Sequence, residues 1–249
     1  MRDSALEWTE EEKRSLVDVL GSLERFISRM RWRSPPRILL AKASDRLMDG
    51  FAHTRGHTIV VQESLLREAR ARPGPLDYLL AHETFHVLSR ADARLREELY
   101  GVIGFRGCTA VDIPERLARL RLTNPDAPEN RHTIAVRRAG RPIEAMPFVH
   151  LPSEGIDPRT GFAGQMRTAW LPVDREGGRC KVLDDPLAVD ELEGLYEQIG
   201  RNTTYVVHPE EILAENFALI FLIVARDAPQ KTASPELLER IRRVLEGAR

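Results

Sequence analysis

Apolar residues recur at intervals of three and four positions in several stretches of the chain, which is the spacing of an amphipathic helix. Thr9 and Glu12 are placed to form a capping box at the start of the first stretch. Pro209 suits the first position of the most apolar stretch. Glu215 and Asn216 interrupt this stretch, which predicts a buried helix rather than a membrane span. The predicted helices cover residues 9–30, 76–98, 114–121, 190–199, 209–225 and 235–246.

Strand patterns occupy the spaces between these helices, and turn residues separate them. Pro35-Pro36 and Pro73-Gly74-Pro75 interrupt the first half of the chain, and proline and glycine are frequent from 123 to 183. The predicted strands cover residues 37–41, 57–62, 132–138, 146–151 and 165–173. The order predicts an α+β fold, with residues 1–249 forming a single domain and residues 101–189 forming a β-rich insert or subdomain.

Composition limits the classes of partner. The chain has 37 basic and 38 acidic residues and a formal net charge of -1, so neither nucleic acid nor an anionic membrane is expected as its main partner. No signal-peptide pattern opens the chain, and we expect a soluble, cytoplasmic protein, or a secreted one if a leader has been removed. Cys108 and Cys180 do not have the CxxC or Cys/His spacing of a cysteine zinc site. Two free thiols are favoured over a disulfide.

His82-Glu83-Thr84-Phe85-His86 carries the strongest chemical signal in the sequence. Positions i and i+4 of a helix lie on one face, so His82 and His86 can bind one ion. Zinc suits two neutral imidazoles, and Glu83 is placed to take a proton from an activated water. The alternative is a pair of partly buried structural histidines beside a solvated acid. The pattern favours a zinc site.

A zinc site on two histidines needs a third protein ligand, and the apolar helix 209–225 offers one. Glu211 and Glu215 again stand at i and i+4, and charged residues are rarely buried unless they are paired or bind metal. We predict Glu211 as the ligand and Glu215 as acceptor of a hydrogen bond from a ligand histidine. Glu210, Glu215 and His208 are the alternative third ligands, and helix capping is the alternative role of Glu211.

The HETFH motif and the downstream Glu-Ile-Leu-Ala-Glu-Asn-Phe segment resemble the zincin metallopeptidases whose third ligand is a glutamate, the gluzincin type. The second segment is similar to that of anthrax lethal factor-type catalytic domains. The resemblance implies a zincin-like catalytic domain in which Glu211 binds zinc and Glu83 is the general base. It also implies a catalytic tyrosine near Tyr205. At 57–62 it implies an edge strand beside the cleft, with an ordinary sheet strand as the alternative.

The sequence therefore predicts a zinc-dependent metallopeptidase that hydrolyses peptide bonds in a peptide or protein substrate. The zinc is expected on His82, His86 and Glu211. Two alternatives stay open. The chain can be a non-catalytic, zinc-dependent regulatory or binding module, or a zinc hydrolase that acts on something other than a peptide.

Overall fold

A computed structural model describes residues 4–33, 37–71, 74–157, 159–160, 164–183 and 185–247. The predicted breaks at Pro35-Pro36 and Pro73 lie outside these residues. The fold is α+β, as predicted. The chain divides into two compact units: unit 1 comprises Met1–Arg96 and Leu213–Arg249, and unit 2 comprises Glu97–Ile212.

Unit 1 contains a four-stranded sheet. Its strands are β1 (Ala5–Leu6), β2 (Leu39–Ala43), β3 (His53–Arg55) and β4 (Thr58–Gln62), in the order β1-β2-β4-β3. β4 pairs with β2 in parallel and with β3 antiparallel. The prediction of an edge strand at 57–62 is therefore wrong, because both sides of β4 are hydrogen-bonded and the short strand β3 forms the edge.

Helices α1 (Glu10–Ile27), α2 (Glu63–Ala71), α3 (Pro75–Ala91) and α8 (Pro235–Glu246) also belong to unit 1. The capping box of α1 is confirmed: Glu12 N donates to Thr9 Oγ1 and Thr9 N donates to Glu12 Oε2.

The predicted continuous helix 76–98 is wrong. Asp92 separates α3 from α4 (Ala93–Val102), because its carboxylate accepts from the backbone N–H groups of Leu95 and Arg33 and caps the second helix.

Helix α7 (Pro209–Ala225) matches its predicted bounds. It is continuous, although the division between the units falls within it, after Ile212. No helix in the part of the chain that the structure describes combines the length and the apolarity needed to cross a membrane.

An aromatic cluster in unit 1 packs α1, α3 and α7 together. Phe26 of α1 lies 5.5 Å from Phe217 and 5.4 Å from Phe221 of α7, measured between ring centroids. Phe85 of α3 lies 5.5 Å from Phe217. Phe85, Phe217 and Phe221 are fully buried. This apolar contact holds the helix that carries the histidine motif against the body of α7.

Arg226 links the same three helices through ion pairs. It follows α7 directly, and its guanidinium pairs with Asp77 in the first turn of α3 at 2.5 Å and with Asp18 of α1 at 2.8 Å. Burial raises the pKa of Asp77 above its ordinary value, although the positive charge of Arg226 opposes that shift. Arg226 thus compensates a buried carboxylate while it joins the helices.

Unit 2 contains a six-stranded sheet. Its strands are β5 (Phe105–Gly107), β6 (Ala110–Asp112), β7 (His132–Arg138), β8 (Arg141–His150), β9 (Arg167–Glu176) and β10 (Arg179–Val182), in the order β5-β7-β8-β9-β10-β6. The two edge strands, β5 and β6, are consecutive in the chain and are separated by Cys108-Thr109. From β9, Arg175 donates to the backbone carbonyls of Arg106 and Gly107 at 3.0 and 2.9 Å.

The helices of unit 2 are short. Helix α5 (Glu115–Ala118) lies within the predicted 114–121. The predicted helix 190–199 is interrupted: a 3₁₀ turn at Val189–Glu191 and helix α6 (Tyr196–Ile199) are separated by Gly194, whose φ of 81° is outside the helical region. The helical spacing of apolar residues does not show such a break.

Cys108 and Cys180 form a disulfide, so the prediction of two free thiols is wrong. Cys180 lies in β10, which pairs in parallel with β6, and Cys180 is in register with Val111. The sheet thereby brings two cysteines that are 72 residues apart to a Cα–Cα distance of 5.9 Å, which permits the bond. Sequence spacing contains no information on this pairing.

Replacing Arg226 tests whether it compensates Asp77. We expect Arg226→Met to lower the free energy of unfolding at neutral pH by roughly 2–3 kcal/mol, since it leaves a buried carboxylate without its counter-charge. The loss should shrink as the pH falls towards 3.8, the ordinary pKa of aspartate, because Asp77 then protonates in the folded variant.

Urea denaturation across that pH range measures the difference. Asp77→Asn combined with Arg226→Met is the control, and it should recover part of the lost stability. A deficit that does not change with pH, or a double variant less stable than Arg226→Met, contradicts the role given to Arg226.

Candidate metal centre

Helix α3 presents the histidine motif from a buried position. His86 is 1% exposed and Glu83 is 4% exposed. The rings of His82 and His86 lie edge to face with centroids 4.8 Å apart, as expected for residues one helical turn apart. The structure therefore places the two imidazoles on one face of α3, as predicted.

The first turn of α7 is capped by an imidazole. Pro209 occupies the first helical position, and the backbone N–H of Glu210 donates to Nδ1 of His208 at 3.1 Å. Histidine is not a usual cap, but His208 stands at the N-cap position that follows from Pro209 as the first helical residue, and its ring nitrogen accepts there. This hydrogen bond satisfies one of the backbone donors at the start of the helix.

His82, His86 and Glu211 each offer one ligand atom, and the three atoms lie within 4.8 Å of one another. Glu211 is 4% exposed. It stands on the same continuous helix as Glu215, one turn earlier. Two imidazole nitrogens and one carboxylate oxygen form a donor set that can hold a metal ion. The residues present therefore fit a metal.

The other candidates for third ligand have different surroundings. Glu210 is 1% exposed and accepts a 2.6 Å hydrogen bond from the hydroxyl of Tyr100. His208 accepts the capping hydrogen bond described above. Glu215 approaches a histidine rather than the site of the ion. Among the alternatives from the sequence, Glu211 has the geometry of a ligand.

Glu215 lies beside His82, the contact that its predicted role requires. Its Oε1 is 3.2 Å from Nδ1 of His82. An imidazole that donates from Nδ1 has its Nε2 available for a metal, so a carboxylate here selects the tautomer and orients the ring. Whether Glu215 acts in this way on a bound metal stays a prediction.

Tyr78 is a member of this network that sequence reasoning missed. It lies on α3 one turn before His82, and its hydroxyl donates to Glu215. Burial, the negative charge of Glu215 and this hydrogen bond together raise the pKa of Tyr78 far above its ordinary value. Tyr78 is therefore a neutral donor at any physiological pH. The i, i+4 spacing from Tyr78 to His82 is the signal that could have identified it.

Tyr205 lies in the irregular segment before α7. Its side chain is 41% exposed, and its backbone N–H donates to Oγ1 of Thr203 at 2.9 Å. A catalytic role for Tyr205 stays a prediction.

A second residue that sequence reasoning missed is Asn124, whose amide donates to Glu211. The two are 87 residues apart, and no local pattern connects them.

Removing the hydroxyl of Tyr78 tests the network. We expect Tyr78→Phe to weaken the affinity for Zn²⁺, used as the metal probe, by about tenfold, because Glu215 loses a donor that orients it against His82. Competition with a chromophoric chelator measures the affinity. Tyr196→Phe is the matched control, because this ring stacks under Arg201 and should leave metal affinity unchanged. Equal affinity in both variants would remove Tyr78 from the site.

In comparisons with protein-family models, with curated proteins and with solved structures, nothing matches this chain. The inference of function therefore depends on the geometry of the site and on the sequence motifs.

Proposed function

We propose that the chain is a zinc-dependent metallopeptidase. The observation that carries the proposal is the cluster of His82, His86 and Glu211, whose ligand atoms lie within 4.8 Å of one another. Neutral imidazoles and a carboxylate are ligands that zinc accepts in a tetrahedral site with one open position. The two imidazoles in this set favour zinc over Mg²⁺ or Ca²⁺, which prefer oxygen ligands.

Zinc held there would lower the pKa of a water and polarise the carbonyl that the water attacks. The chain's own residues supply the proton transfers. Glu83 follows His82 directly on α3 and is 4% exposed, so its carboxylate works in a largely dry environment. In this proposal it takes the proton of the attacking water and delivers it to the leaving amine.

Three further features support the proposal. The Glu215–His82 contact at 3.2 Å is of the kind that fixes ligand histidines in metal sites. The order of the motifs resembles the glutamate-type zincins, and we propose a zincin-like catalytic fold on that basis. Tyr205 is our candidate for stabilising the oxyanion, since its half-exposed side chain is accessible to a substrate.

The main alternative is a zinc-dependent regulatory or binding module without catalysis. Glu83 favours the enzyme, because a purely structural zinc site has no use for a buried general base next to a ligand. A fourth protein ligand that closed the site would favour the module. Only the resemblance to the zincin metallopeptidases favours peptides as substrates. Hydrolysis of another acyl compound would use the same zinc ligands and the same general base.

The disulfide bears on the compartment in which the protein works. Disulfides persist in oxidising surroundings and are rare in the cytosol. The Cys108–Cys180 bond therefore favours the exported form of the protein over the cytoplasmic one.

Glu83→Gln tests the catalytic proposal. The amide cannot accept the proton of water, so we expect peptide hydrolysis to fall by about 10²- to 10⁴-fold. Zinc should remain bound, since Glu83 is not among the three ligands. Cleavage of a protein mixture, followed by mass spectrometry, provides the readout, and metal analysis of the same samples provides the zinc content.

The matched control is Glu68→Gln, which changes an exposed carboxylate on α2 and should be fully active. Undiminished cleavage by Glu83→Gln would contradict the role of general base. Full zinc content without cleavage of any peptide by the wild-type protein would support the regulatory module.

A further inference from the structure

Asn124 contacts the predicted third ligand. Its Nδ2 donates to Oε1 of Glu211 at 2.5 Å, and both residues belong to unit 2. Asn124 lies between α5 and β7 in a segment that has no regular secondary structure. A half-buried side chain from an irregular segment thus reaches a carboxylate that is 4% exposed.

The amide of Asn124 is held in one orientation. Its Oδ1 accepts from the backbone N–H of Asp126 at 2.9 Å, while its Nδ2 faces Glu211. A backbone N–H requires an acceptor and a carboxylate requires a donor, so only this orientation of the amide satisfies both. The local turn at Asn124-Pro125-Asp126 therefore aims a donor at Glu211.

The chemistry of this donor suits a metal ligand. Asn124 is neutral and does not compete with a cation for Glu211, whereas a lysine or arginine would. A carboxylate has about four lone-pair positions, and one amide N–H occupies only one of them. The hydrogen bond can therefore restrict rotation of the carboxylate without neutralising it.

We propose that Asn124 is a positioning residue for the metal centre: it holds the carboxylate of Glu211 in the orientation in which Glu211 binds zinc. This inference rests on the proposed function, because it assumes that Glu211 is a ligand. Hydrogen-bonded partners of ligand carboxylates typically contribute 10- to 100-fold to metal affinity. Asn124 contributes to binding through Glu211 and does not contact the ion itself.

The test is the zinc affinity of Asn124→Ala, measured by competition with a chromophoric chelator on metal-free protein. We expect a loss of about tenfold. Asn130→Ala is the matched control. Asn130 lies in the same segment and donates from Nδ2 to the backbone carbonyl of Pro147 at 2.6 Å, so its loss loosens the segment without touching Glu211. Asn130→Ala should bind zinc like the wild-type protein.

A double-mutant cycle separates positioning from a general effect on folding. If Asn124 acts through Glu211, Asn124→Ala should change zinc affinity by less than about twofold when Glu211→Ala is already present. The melting temperatures of the metal-free Asn124→Ala and Asn130→Ala variants should be similar. Circular dichroism establishes that each variant is folded.

The outcomes distinguish the positioning role of Asn124 from the existence of the metal centre. Unchanged zinc affinity in Asn124→Ala, or an equal loss in Asn130→Ala, overturns the positioning role while the metal centre stands. Increased affinity also overturns it, because Asn124 would then compete with the metal for Glu211. If His86→Ala binds zinc as tightly as the wild-type protein, the metal centre itself is wrong.

Discussion

Carboxyl groups on an apolar helix need polar partners, and this requirement explains the surroundings of α7. Removing a carboxylate from water costs several kcal/mol unless partners replace the lost solvent. Glu210 accepts from Tyr100, Glu211 from Asn124, and Glu215 lies against His82 and accepts from Tyr78. Each of the three glutamates has a polar partner from another element. Hydrophobic packing alone would exclude these residues from such a helix.

The same requirement connects the fold to the chemistry. The phenylalanine cluster brings α3 and α7 together, and the ion pair between Arg226 and Asp77 also links them. Tyr100, Asn124 and Tyr78 are uncharged donors, so their hydrogen bonds do not place a competing cation at Glu210, Glu211 or Glu215. A cation that binds the three ligands would complete the compensation.

The parts of the fold that could be predicted from the sequence have local causes. The capping box at Thr9 and the proline at position 209 mark helix starts in the residues themselves. The parts that failed depend on distant residues. Asp92 breaks a helix partly because it caps the next one, β4 acquires its second neighbour from β3, and Cys108 meets Cys180 through the sheet.

The candidate site likewise contains residues that local spacing predicts and residues that only the fold brings to it. His82 and His86, like Glu211 and Glu215, were predictable as pairs because helical spacing places them on one face. Tyr78 follows the same rule and could have been included. Asn124 and Tyr100 could not, because each is separated from its partner on α7 by a long stretch of sequence, and no local spacing connects the two.

The most direct test of the metal centre is the zinc content of the protein and of two neighbouring variants after exposure to zinc and dialysis at neutral pH. We expect about one zinc ion per chain in the wild-type protein and in Glu210→Gln, whose amide oxygen can still accept from Tyr100. We expect a marked loss of zinc in Glu211→Ala. Full zinc content in Glu211→Ala, or no zinc in the wild-type protein, would contradict the assignment of these ligands.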